Sequence, residues 1–332
     1  MTWLVWRLYR SQAAIAALLL AAFATALIVT GLQMASHWHA LLTTCTNSSA
    51  CGTVSLGSIL GHDLVVLSLA APVILGFLWG APLVAHELEN GTVNFAWAQS
   101  ITKARWLTVK AGWLLLAAAV WGGAVAALVT WWSGPRNAFY SNQFQPNYFD
   151  QQGIVPIGYA VFATALGIAA GTVCRRTLVA IAVTIGGFIG TRLLISQFLR
   201  DHYMAAVTAH YSPLSHYSPP GSAWVLSTGV VDKYGHVFSG GSAPEVNGVP
   251  ITAIPASCRA LLFRDPTTLS RGQVHQAASC MQASGIRGFT TYQPAYHYWP
   301  FQGIETGIYL ALAAILLAVT FFVVRYPGRV SR

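Results

Sequence analysis

The sequence predicts an all-α polytopic membrane protein, with six transmembrane helices, both termini cytoplasmic, and a large mixed extracellular domain before the last helix. Three observations carry that prediction. The 332-residue chain is 55% hydrophobic and only 8% charged, against roughly 25% charged residues in a soluble domain. Six apolar runs each reach about the twenty residues needed to cross a bilayer. Ten basic residues lie in short segments on one side of those runs: Arg7, Arg10, Lys103, Arg105, Lys110, Arg175, Arg176, Arg325, Arg329 and Arg332. The two short loops on the other side hold only Arg136. Short loops rich in Lys and Arg stay in the cytoplasm, which fixes the orientation. A formal net charge of +9 would point to nucleic acid in a soluble protein; here it is the charge asymmetry of a membrane topology, and nucleic acid is excluded as a partner.

Taken in order, Thr2–Ser11 mixes Trp3, Trp6 and Tyr9 with Arg7 and Arg10, the composition of a short helix lying among lipid headgroups. The first run, 13–32, is too long for a signal-peptide core and is expected to stay uncleaved. A loop over 35–62 has no Lys or Arg and belongs outside. The second run, 64–84, carries Pro72, Gly76, Gly80 and Pro82, which permit a bend or close packing within a bundle. A polar hinge follows over 85–110, and then the third run, 111–132, ends on the interfacial Trp131 and Trp132.

The fourth and fifth runs, 154–173 and 178–199, form a hairpin whose turn is pinned inside by Arg175 and Arg176. Gly167 with Gly171, and Gly186 with Gly190, each make a GxxxG, the spacing that lets two helix backbones approach. Such a seam serves either packing within the chain, or a contact between two copies or a substrate pathway. Residues 200–303 are rich in Pro, Gly, Ser, His and Tyr and have no run long enough to span. They form the external domain, with one helix expected over 271–284 and short strands within 240–255. The sixth run, 304–324, leads to a short basic tail ending at residue 332.

Cys45 and Cys51 share the first outer loop, Cys258 and Cys280 share the outer domain, and Cys174 lies at an inner helix end. Two local disulfides outside and one reduced thiol inside follow from that partition. A metal site is the competing use of the outer cysteines with the six nearby histidines, but their spacing matches no zinc template, and no metal is expected.

The chain contains no GxxxxGK[ST] phosphate loop, no HExxH and no GxSxG, which removes a nucleotide site, a zinc helix and a nucleophile elbow. It is therefore not expected to be an enzyme. Acids and histidines in mid-span, as a proton-coupled carrier needs, are also missing: Asp63, Arg192 and Glu305 all fall near the ends of runs. Energy, if used, comes from a partner.

The hinge carries a resemblance. It offers Glu87 and Glu89, then Gly91 and Thr92, an amphipathic stretch with Phe95 and Trp97, a basic turn of Thr102, Lys103 and Arg105, and Lys110 opening the next helix. That order, between the second and third of six spans, resembles the membrane subunit of a bacterial type-2 ATP-binding-cassette (ABC) exporter. The stretches GFLWGAPLVAHELENGT and YQPAYHYWPFQGIETGIYLALAAILLA are similar to a subgroup with an enlarged extracellular domain. The resemblance implies a permease in the bacterial cell membrane, paired with a second copy and resting on cytoplasmic ABC ATPase subunits. ATP and Mg would be bound by that partner, with no cofactor on this chain. The cargo would be a small amphiphilic or antibiotic-like compound, or a lipid. The hinge residues would then couple ATP hydrolysis to transport. A membrane scaffold or sensor whose outer domain binds a ligand is the alternative from another functional class.

A pair is expected at the outer mouth. Arg192 lies sixteen residues beyond Arg176, roughly 24 Å along the fifth helix and close to the outer boundary of a hydrocarbon core about 30 Å thick. Glu305 opens the sixth helix at the same level. A charge so near hydrocarbon needs a partner or a route to the interface, so Arg192 and Glu305 either pair to hold the exit closed or act separately. In the second case Arg192 reaches lipid phosphates and Glu305 favours its helix N-terminus.

Overall fold

The computed structural model describes residues 2–44, 63, 65–89, 102–140, 143–144, 146–215, 217–238, 245–246, 249–262 and 271–325. Among these, six helices are long and apolar enough to cross a membrane: Ala14–Gln33, Val65–His86, Ala104–Gly134, Val155–Cys174, Thr177–His202 and Ala295–Arg325. They are called spans one to six below. The chain divides into a unit of Met1–Arg200 with Trp299–Arg332, which contains the spans, and a second unit, Asp201–Tyr298.

Several helices outrun their apolar cores. Thr2–Thr44 is one continuous helix, so the separate headgroup helix expected over Thr2–Ser11 does not form. Before Gly31 this stretch has neither Gly nor Pro to interrupt it. The third helix is Lys103–Tyr140. It absorbs the last residues of the hinge and the start of the following loop, and it is capped by Thr102, whose Oγ1 accepts the Arg105 N–H at 3.3 Å.

Span four is the axis of the membrane unit: 72% of its apolar window is buried, and no other span exceeds 39%. Small residues make this possible. A side chain on Gly76 would sit 2.6 Å from the Ala163 carbonyl oxygen, and one on Gly80 would sit 2.6 Å from that of Thr164. Gly167 is closed in by the backbone of Gly76, Gly80 and Ala81, and a Cβ on Gly171 would lie 2.5 Å from the Ala81 carbonyl oxygen. The first GxxxG is therefore a seam within the chain, between spans two and four. A π-helical turn at Gly76–Gly80 helps build it. The extra residue re-phases span two, so that Gly76, Ala81 and Ala85 meet span four in succession. The second GxxxG behaves differently. Among the described residues, a Cβ on Gly186 or Gly190 would meet nothing within 4 Å outside its own helix backbone.

The second unit is built on a four-stranded antiparallel sheet of β1 (Val207–Tyr211), β2 (Trp224–Val231), β3 (Val237–Phe238) and β6 (Arg287–Gln293), in the order β1-β6-β2-β3. The strands expected within 240–255 reduce to a two-residue pair, β4 (Glu245–Val246) with β5 (Val249–Pro250). Arg271–Ala283 is the expected helix. Its Ala277, Ala278 and Met281 pack with Val230, Ile254 and Cys258 in one core. Cys258 and Cys280 are disulfide-bonded with their Cα atoms 5.6 Å apart, and Cys174 is a free thiol. Cys45 and Cys51 lie outside the described residues. Among the described residues, no three His, Cys, Asp or Glu side chains come together as a metal site would need.

The two glycine motifs predict opposite responses to the same change. Gly167→Leu overpacks the seam against backbone and is expected to cost about 1–3 kcal/mol or more, read as a clear fall in the thermal unfolding midpoint in detergent. Gly186→Leu, in open space, is expected to leave that midpoint unchanged.

Candidate functional site

Four charged side chains meet at the end of the bundle formed by the start of spans four and six and the end of span five. Asp150 comes from the short connection ahead of span four, just after the helical turn Pro146–Phe149. Arg192 and Arg200 come from span five and Glu305 from span six. Arg200 is the centre. Its Nε donates to Glu305 Oε2 at 2.9 Å and its Nη2 to Glu305 Oε1 at 2.6 Å, the two-pronged geometry that suits a guanidinium to a carboxylate. The same Nη2 also meets Asp150 Oδ1. Arg192 Nη2 donates to the other Asp150 oxygen at 2.7 Å. Asp150 thus bridges the two arginines.

Tyr159 on span four closes the arrangement. Its hydroxyl lies 2.6 Å from Glu305 Oε1 and 3.0 Å from Asp150 Oδ1. One proton serves two carboxylates, and the shorter contact is with Glu305. Burial is nearly complete, with Glu305 0%, Arg200 1%, Tyr159 1% and Asp150 9% exposed. Two positive and two negative charges balance, as so dry a cluster requires.

The geometry of span five explains how both arginines reach one face. In a regular helix, eight residues turn through about 800°, which would leave Arg192 and Arg200 roughly 80° apart. A π-helical turn at Ile195–Leu199 lies between them. Its one extra residue brings the second arginine back to within about 20° of the first.

The expected direct pair of Arg192 with Glu305 is corrected here. The sixth helix starts at Tyr298, so Glu305 lies about two turns inside it rather than at its mouth. There Arg200 takes both carboxylate oxygens, and Arg192 turns to Asp150. The separate roles, with Arg192 at lipid phosphates and Glu305 at a helix N-terminus, do not describe this arrangement either.

Span six also holds the start of span four. Gln302 Oε1 accepts the N–H groups of Ile154 and Val155 at 2.9 and 3.0 Å, while its Nε2 donates to the Phe149 carbonyl at 3.0 Å. These first amide N–H groups have no partner within their own helix, and the N-cap residue Ile154 offers no side-chain bond. Gly153, at φ +69°, keeps the tight approach open, because a Cβ there would lie 2.6 Å from Gln302 Oε1.

The opposite end of span five is capped in the same way by the hinge. Glu89 Oε2 accepts the Thr177 hydroxyl at 2.7 Å and the Thr177 N–H at 3.1 Å. The Thr177 hydroxyl, and then its N–H, hold the Glu89 carboxyl below the usual glutamate range; burial opposes this slightly, while His86 and Arg176 add to it. A carboxylate at a helix N-terminus also suits the helix dipole. Because the pKa is depressed, the contact is fully formed at neutral pH and is lost as pH falls through the folded value. Lys110 Nζ lies 4.7 Å from the Trp106 ring centre. Trp106 is buried with Leu83, Val84, Leu107 and Val324, so this edge of the hinge is anchored in the bundle. Arg105 is exposed on the first turn of its helix. Gly91, Thr92, Phe95 and Trp97, and the side chains of Glu87 and Lys103, lie outside the described residues.

A family model described as "ABC-2 membrane transporter related" matches residues 17–200, more than half of the chain. The chain belongs to the ABC-2 membrane transporter related family. It is accordingly a multi-pass ABC permease subunit, a membrane component of transport. The ABC-2 match ends at Arg200 and so covers spans one to five, the hinge and three of the four charges. No curated protein and no solved structure matches the chain.

No motif marks Asp150, Arg200, Tyr159 or Gln302 in the sequence. Their one visible signal is the polar run Asp150-Gln151-Gln152 directly before an apolar helix. Removing one partner from a buried ionic cluster costs about 3–5 kcal/mol, so Asp150→Ala is expected to lower the unfolding midpoint of this ABC-2 protein strongly. A double-mutant cycle between Asp150 and Arg192 is expected to show larger coupling than one between Arg192 and Glu305; the reverse order would contradict the bridging role of Asp150.

Proposed function

We propose that this chain is the permease of an ATP-driven exporter in the bacterial cell membrane, carrying a small amphiphilic compound or lipid outward. A separate ABC ATPase engages the segment between spans two and three, and a second copy of the permease completes the path. In this reading the hinge and both termini are cytoplasmic, and the unit Asp201–Tyr298 lies outside.

The observation that carries the proposal is that span five is held at both of its ends. Glu89 of the hinge caps its first residue, and its last turns carry Arg192 and Arg200 into the buried charge cluster. The distance between Thr177 and Arg200 is roughly 35 Å, about the thickness of a membrane core. A rigid helix tied to the ATPase-facing hinge at one end and to an ionic lock at the other transmits displacement between them. The lack of any phosphate loop in the sequence supports an energy source in another chain.

Copurification in mild detergent is expected to bring down an ATPase of unrelated sequence. In the reconstituted complex, Glu89→Ala is expected to leave ATPase binding and basal hydrolysis within about twofold of wild type while transport falls at least tenfold. Retained transport in that variant would remove Glu89 from the coupling route, and failure to recover any ATPase would overturn the exporter reading itself.

A further inference from the structure

Three buried polar atoms around the charge cluster have no hydrogen-bond partner among the described residues: Arg200 Nη1, Thr306 Oγ1 and the Tyr309 hydroxyl. A buried polar group left unmet bears the full cost of its lost hydration, and native structures keep few of them. The three are complementary. Span five carries the unmet guanidinium donor, and span six carries two hydroxyls able to accept. Thr306 is packed against span four, where a Cβ on Gly158 would lie 3.3 Å from Thr306 Cα. Tyr309 is the one whose hydroxyl this conformation leaves without a task.

The Tyr309 ring packs edge-on against Tyr159 at 4.6 Å and Phe162 at 5.2 Å between ring centres. A phenylalanine would fill that space equally well. The hydroxyl therefore adds a cost here and no contact. Its surroundings are those of the cluster, because the neighbouring Tyr159 hydroxyl lies 3.3 Å from Arg200 Nη2 and 2.6 Å from Glu305 Oε1. Tyr309 lies four residues beyond Glu305 on the helix Tyr298–Arg325, which is one turn, roughly 6 Å along the axis and about 40° around it. Both belong to the one buried stripe of that helix, with Gln302 and Ala313. Side chains on a helix lean toward its N-terminus, which carries the Tyr309 hydroxyl back toward the level of Glu305. A slide of span six toward its own start, by one turn or less, exchanges Glu305 for Tyr309 opposite Arg200. Packed helices are known to ratchet by such steps.

We propose that Tyr309 is a positioning residue of the opened cluster: when the Arg200–Glu305 contact breaks, Arg200 Nη1 donates to the Tyr309 hydroxyl while Nη2 stays with Asp150. The Glu305 carboxylate moves toward the start of span six, where water replaces the guanidinium. Breaking a buried ion pair strands a charge, and the waiting hydroxyl offsets part of that cost. The hydroxyl unmet in this conformation is the one used in the second.

This role deepens the transport reading above, but a distance measurement on the chain alone can fail independently of it. Spin labels on genetically encoded ketone side chains replace Leu178 and Ile304, exposed 82% and 37%, in nanodiscs. These positions are roughly 33 Å apart along the bundle axis, so a slide of span six appears nearly in full as a change in distance. Glu305→Gln keeps the size, removes the charge and weakens the closed contact; a second distance about 5 Å longer is expected. Adding Tyr309→Phe, which removes only the hydroxyl, is expected to cut the fraction at that second distance by about fivefold or more. Tyr309→Phe alone is expected to leave the unfolding midpoint at or above the wild-type value. In the reconstituted complex it is expected to lower transport by about fivefold or more while ATP hydrolysis continues. A single distance in folded Glu305→Gln, a second distance undiminished in the double variant, a lowered midpoint in Tyr309→Phe, or transport unchanged by it would each overturn the role. Where Glu305→Gln does not fold, the midpoint and transport of Tyr309→Phe decide. Failure to recover an ATPase sinks the exporter reading and leaves the distances and the midpoint to judge Tyr309.

Discussion

The membrane unit depends on the cost of leaving Arg200 without partners. A guanidinium 1% exposed inside an apolar bundle is tolerable only when its charge is met. Glu305 and Asp150 meet the charge through Nε and Nη2, leaving Nη1 buried without a hydrogen-bond partner among the described residues, and because these acids come from span six and from the connection before span four, neutralising Arg200 also fixes where those elements sit. Tyr159 adds span four to the same knot, and Arg192 repeats the tie to Asp150. Ionic clusters of this kind contribute less to net stability than to uniqueness. Apolar helices can slide and rotate against one another at modest cost, whereas a mispaired buried charge cannot be accommodated.

Two further features follow the same logic. Spans four and five both begin without a side-chain cap of their own, and both are capped from elsewhere, by Gln302 and by Glu89. Each cap supplies an oxygen to amide N–H groups that lack partners within their own helix, so the start of each helix is registered to a distant part of the chain. The glycine seam between spans two and four then fixes their separation by backbone contact. Span five is joined differently. One face, with Ala180, Thr184 and Phe188, is buried against the bundle, while a Cβ on Gly186 or Gly190 would meet nothing among the described residues.

The six spans were legible because apolar length and the placement of Lys and Arg are properties of the sequence alone. The helix over 271–284 was legible for the same kind of reason, and Cys258 with Cys280 paired as their shared loop implied. The charge cluster was only half legible. Arg192 and Glu305 read as charges needing partners, but the π turn at Ile195–Leu199 has no sequence signature, and without it Arg200 would lie about 80° around the helix from Arg192. The helix containing Glu305 also starts earlier than its apolar run, at Tyr298. Pro300 falls in its first turn, where proline is tolerated, so the boundary lay outside the hydropathy signal. In the second unit the main sheet is not legible in the sequence. Its strands are Thr- and Tyr-rich segments such as Arg287–Gln293, whose pairing partner is up to about eighty residues away.

If span five couples the hinge to the buried cluster as proposed, the Arg200–Glu305 contact opens during transport. Both residues are replaced with cysteine in a chain whose Cys174 is serine, and are bridged in the complex with its ATPase by a short bis-methanethiosulfonate, which forms a disulfide at each end with loss of methanesulfinate and is cleaved by reductant. The account predicts that bridging stops transport while ATP hydrolysis continues, and that cleaving the bridge restores transport. Transport that continues at the unbridged rate with the two helices held together would contradict it.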